Sequence, residues 1–90
     1  MTIEETFDIG EYALYGRWKV EIEDESITLT GMDWDTRKVE RVKKFTTQDV
    51  VSGDLECYLA SEITTSFYAG EIVKWIREVA DLPEFDYNPW

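Results

Sequence analysis

Arg17-Trp18-Lys19-Val20-Glu21-Ile22-Glu23 alternates charged and apolar side chains without a break. Trp18, Val20 and Ile22 fall on one side and the charges on the other, the period of two of a strand with one face in a core and one in water. Downstream, Asp24-Glu25 reads as a turn, and Ile27 and Leu29 resume the alternation against Ser26, Thr28 and Thr30, which makes a hairpin. At Gly31 the phase flips, from apolar odd positions to Met32 and Trp34, as at a bulge or bend.

Working outward, Thr6 to Tyr15 alternates in part through Phe7 and Ile9 and suggests an extra edge strand. Residues 37–45 fit two patterns. Val39 and Val42 stand at helical spacing behind Thr36 as a candidate N-cap, yet the same residues continue a sheet if Trp34-Asp35-Thr36-Arg37 is a turn. The strand is the preferred expectation. Leu55 to Ile63 is divided in the same way after the turn signal Ser52-Gly53-Asp54. From about Tyr68 to Leu82 the pattern is helical: Ile72, Trp75, Ile76 and Val79 recur at three and four residues, with Glu71, Lys74, Arg77, Glu78 and Asp81 opposite. Pro83 ends the element. The expected fold class is α+β, an antiparallel β-sheet of three to five strands packed against one C-terminal α-helix. The expected organisation is a single domain over 1–90, strand-rich over 6–63, with the helix at about 68–82 and a tail at 83–90.

Four Trp, five Tyr and four Phe among 90 residues supply large buried areas and argue for a folded core over disorder. With one cysteine, Cys57, no internal disulfide can form, so a reducing, cytoplasmic setting is expected. The N-terminus lacks the basic start and apolar run of a signal peptide, and no stretch approaches the ~20 apolar residues of a membrane span.

The chemistry available is narrow. No histidine is present, which removes Ser-His-Asp, Cys-His and His-metal arrangements. Cys57, within the apolar run Leu55-Glu56-Cys57-Tyr58-Leu59, reads as a small core residue. Asp33 and Asp35 flank Trp34 and would share a face if extended, but they lack the ligand series of a calcium loop. The five glycines stand singly and form no phosphate-binding loop. No enzyme, cofactor or metal is expected.

Charge is the informative feature. The net charge is −11, from 20 acids and 9 bases. Residues 1–36 hold ten acids and two bases, residues 37–48 five bases and one acid, and residues 49–90 nine acids and two bases. A basic segment is thus set between two acidic ones. One expectation is that residues 37–44 lie beside 21–25 in a meander and neutralise them. Net acidity disfavours direct binding to nucleic acid or to an anionic membrane and favours a basic protein surface as partner.

Glu21 and Glu23 project from one strand face ~6.6–6.8 Å apart, and Glu4, Glu5, Asp8, Glu11, Asp33 and Asp35 could extend the row. The tail alternates aromatic and acidic residues, so Phe85, Tyr87 and Trp90 either strap onto the core or anchor a partner. The candidate partner-binding residues are Glu21, Glu23, Asp33, Asp35, Phe85, Tyr87 and Trp90. The expected function is a non-enzymatic, DNA-mimic-like inhibitor that blocks the basic surface of a nucleic-acid-processing protein. Small acidic phage proteins that block restriction or CRISPR effectors act in this way; the likeness is one of size and charge, and no motif carries it. Two alternatives stay open: an immunity or antitoxin-type protein that neutralises a basic toxin, and a small assembly protein that self-associates through aromatic surface.

Overall fold

The computed structural model describes residues 2–33 and 35–82. Four strands form one antiparallel sheet in the order β1-β2-β3-β4, namely β1 (Thr2–Asp8), β2 (Arg17–Glu23), β3 (Ser26–Met32) and β4 (Val39–Thr46). Three helices follow: α1 (Thr47–Ser52), α2 (Asp54–Tyr58), which continues into a π-helical turn at Leu59–Ile63, and the C-terminal α3 (Ser66–Ala80). The fold is α+β, with each strand paired to its neighbour in sequence.

The alternation in β2 does what its period requires. Trp18, Val20 and Ile22 are buried, and β3 matches them across the ladder with Gly31, Leu29 and Ile27. Against this face pack Val50, Leu55, Leu59, Ile63, Ala69, Ile72, Val73 and Ile76 from the helices, making one core. The hairpin turn is Asp24-Glu25, with Asp24 at φ 53. The expected irregularity at glycine is present, since the β3–β4 register shifts between Gly31 and Met32.

Gly31 has a second reason to lack a side chain. A Cβ there would lie 2.9 Å from ring atoms of Trp18 and Tyr15. The Trp18 indole N–H donates to the Leu14 carbonyl at 2.6 Å. The loop before β2 is thereby fixed to the core, and Leu14 N–H also donates to the Ile63 carbonyl at 2.7 Å.

The helices begin where the local chemistry allows. Thr46 and Asp49 form a reciprocal capping box, with the Thr46 N–H donating to Asp49 Oδ2 at 2.8 Å, so the last residue of β4 is also the N-cap of α1. Gly53, at φ 88, closes α1 in the left-handed region. Thr65 caps α3, and Asp81 ends it in the left-handed conformation.

Three expectations need correction. The strands run from Thr2 to Thr46: the edge strand is Thr2–Asp8 and not the Thr6–Tyr15 segment, which turns at Gly10 (φ 63) into a 3-10 helix over Gly10–Tyr12, and residues 47–63 are helical apart from Gly53. Leu55 and Leu59 satisfy an i, i+4 helical face as well as an alternation, and the helical solution buries both. Cys57 consequently points away from the core and is exposed. Arg77, expected on the polar face of the last helix, is instead half-buried, and its ion-pair carboxylate is Glu56 of α2 at 4.0 Å. No helix among the described residues is long and apolar enough to cross a membrane.

Candidate functional site

One face of the sheet holds the helices and the other carries no covering element among the described residues. The register places Glu4 of β1 directly opposite Glu21 of β2, and Thr2 opposite Glu23. Glu4, Glu21 and Glu23 therefore form one acidic cluster on the open face beside the Asp24-Glu25 turn. Lys19 offsets part of this charge through an ion pair with Glu21 at 3.4 Å. Asp8 is paired with Arg17 at the other end of the same two strands.

Asp33 and Asp35 lie apart from that cluster. Met32 pairs with Arg17, at the opposite end of β2 from Glu23, so roughly 20 Å of strand separates the two groups. Nor do the two aspartates form an extended pair. Asp33 Oδ1 accepts the backbone N–H of Asp35 and of Thr36, both at 2.9 Å, and the Thr36 hydroxyl at 3.2 Å. The backbone turns here: Arg37 N–H donates to the Asp33 carbonyl and Asp33 N–H to the Lys38 carbonyl. Asp33 and Asp35, with Glu11 and Tyr15, line an open cavity of about 600 Å³. Phe85, Tyr87 and Trp90 lie outside the described residues.

The backbone donors to Asp33 favour its charged form and hold its carboxyl below the ordinary value of 3.8. A depressed carboxyl adds stability above its unfolded pKa and loses it as the pH falls through the folded value. The stability difference between wild type and Asp33→Asn is expected to be constant near neutrality and to shrink below about pH 4. Denaturant melts from pH 7 to pH 3 would measure it.

The basic segment is not where neutralisation requires. β4 pairs with β3, and Ser26–Met32 contains no charged residue. A neutral strand thus separates the bases of β4 from the acids of β1 and β2. Among the described residues, Arg37, Lys38, Arg41, Lys43 and Lys44 make no ion pair with any carboxylate. Two of them rest on aromatic rings instead. The Arg41 guanidinium sits 5.8 Å from the Tyr15 centroid and donates to the Tyr58 hydroxyl at 3.3 Å, and Lys43 Nζ is 5.6 Å from the Tyr58 centroid. The hydrogen bond to Tyr58, followed by the attraction of that phenol, raises the Arg41 pKa.

A groove of about 520 Å³ runs between β1 and α3, where Phe7 meets Trp75 edge to face at 5.7 Å. The apolar spacing of α3 signalled Trp75, whereas the Phe7 contact depends on long-range packing. Among the described residues no group of three or more carboxylate or thiol side chains is placed to hold a metal ion. Compared with protein-family models, with curated proteins and with solved structures, the chain matches none.

Proposed function

We propose that the protein is a non-enzymatic binding protein whose acidic open face occupies the basic surface of a nucleic-acid-processing partner. The observation that carries this reading is the cluster of Glu4, Glu21 and Glu23. Like charges directly opposite across two strands destabilise a sheet, and Lys19 relieves only one of the three carboxylates. A surface that spends stability on concentrated negative charge is suited to a cationic groove. Carboxylates ~7 Å apart on a rigid ladder present such a groove with regularly spaced anions, much as a nucleic-acid backbone does. Long-range attraction would then steer the encounter.

The immobilised protein is expected to retain basic nucleic-acid-binding proteins at about 0.15 M salt and to release them at ~1 M, where the Debye length falls to ~3 Å. Added duplex DNA is expected to displace them by competing for the same groove. Glu21→Lys/Glu23→Lys is expected to abolish retention without changing the fold. Retention that survives high salt, duplex DNA and the double reversal would overturn the reading.

A further inference from the structure

The sheet has two free edges among the described residues, β1 and β4, and they are complementary row by row. Followed across all four strands, the register that begins at Glu4 ends at Lys44, and the one that begins at Glu5 ends at Lys43. On either side of these, Ile3 shares a row with Phe45, and Phe7 shares one with Arg41. Four antiparallel strands leave β1 and β4 running in opposite directions. A second copy displaced along the sheet therefore brings its β1 antiparallel to the first copy's β4 with the rows still in line.

We propose that the protein associates head to tail with a second copy of itself by pairing the β4 edge of one copy with the β1 edge of the next. Lys44 then meets Glu4 of the second copy on the open face, and Lys43 meets Glu5 on the helix-bearing face. Phe45 comes beside Ile3 and Arg41 beside Phe7, an apolar pair and a cation–π pair. The basic edge in an acidic protein is accounted for: its bases make no ion pair among the described residues, and β3 supplies none to make. Val39 and Val42 on the same edge are 53% and 54% exposed, surface that a neighbouring strand would cover. At about 0.15 M salt the ~8 Å Debye length confines the repulsion between two strongly acidic copies to short range. Such a heterologous contact does not close on itself, so a ladder of oligomers is expected rather than one dimer. Glu21 and Glu23 stay on the open face in the assembly, and the substitutions at Lys43 and Lys44 leave Glu4, Glu21 and Glu23 in place, so the β4-edge variants separate failure of this proposal from failure of the partner-binding reading.

Edge lysines can also act as guards against strand pairing, and a charge-swap experiment separates the two roles. Sedimentation velocity at about 0.15 M salt should show wild-type protein growing beyond the monomer as concentration rises toward ~1 mM. Glu4→Lys/Glu5→Lys gives two basic edges and Lys43→Glu/Lys44→Glu two acidic ones. Each alone is expected to associate at least about tenfold more weakly than wild type. Mixed in equal amounts, they are expected to recover the assembly. Circular dichroism verifies the fold, and if a reversal variant does not fold, Lys43→Gln/Lys44→Gln is expected to weaken wild-type association on its own. A wild type that stays monomeric throughout, a folded mixture no larger than its components, or an unchanged Gln variant would overturn the proposal.

Discussion

Replacing Trp18 by alanine is expected to remove about 3–5 kcal/mol of stability, the usual cost of emptying a large aromatic site in a core. Trp18, near the start of the inner strand β2, is 1% exposed. Its ring packs over Gly31 and lies 6.1 Å from the Tyr15 centroid, and its indole N–H holds the Leu14 carbonyl. The substitution therefore opens a cavity, leaves that carbonyl without its donor and removes one of the bonds that hold the loop before β2. Natural domains hold roughly 5–15 kcal/mol in all, so a large share of the total would go. Urea melts should show the midpoint fall at constant slope. Trp18→Phe keeps one ring but loses the hydrogen bond and the outer ring that lies over Gly31, so a smaller loss of about 1–3 kcal/mol is expected.

Gly31→Ala is expected to cost about 1–3 kcal/mol by overpacking. The added methyl would sit 2.9 Å from two Trp18 ring carbons and one Tyr15 ring carbon. Trp18 is enclosed and tethered by its hydrogen bond, so the strand or the indole must shift. Because the two sites touch, the effects should not add: Gly31→Ala in a Trp18→Phe background is expected to cost less than in wild type. Equal costs in both backgrounds would mean that the glycine serves the β3–β4 register shift and not the indole. Thermal or urea melts of the four proteins in this cycle make the measurement.

Much of the sheet was legible because its signals are local. The alternation in 17–23 and the Asp24-Glu25 turn each describe a few consecutive residues, and each has its expected counterpart in the structure. The irregularity at Gly31 lies in the β3–β4 pairing, which skips Glu40; β3 itself keeps its phase against β2 through Met32. The strand over Val39–Thr46 was preferred over a helix only by the turn before it. Residues 47–63 were not legible. Helices of six and five residues are too short to establish a period, and Gly53 breaks the phase between Val50 and Leu55. What decides them is Thr46 with Asp49, a capping pair whose meaning depends on a strand ending at that point.

The candidate site divides along the same line. Glu21 and Glu23 could be placed on one face from strand periodicity alone. That Glu4 stands against Glu21, and that Asp33 turns inward to hold its own loop, depends on pairing and turn geometry no single segment reveals. The neutralisation expected between residues 37–44 and 21–25 fails for a topological reason. In a meander β4 meets β3, and β3 carries no charge.

The most direct measurement is the association rate of a captured basic partner with wild type and with Glu21→Lys/Glu23→Lys, followed from ~0.05 to ~1 M salt. If the acidic face is the docking surface, the wild-type rate falls steeply with salt. The variant then associates at least about tenfold more slowly at low salt, with its melting temperature essentially unchanged. Equal rates for the two proteins, independent of salt, would contradict the assignment of that face.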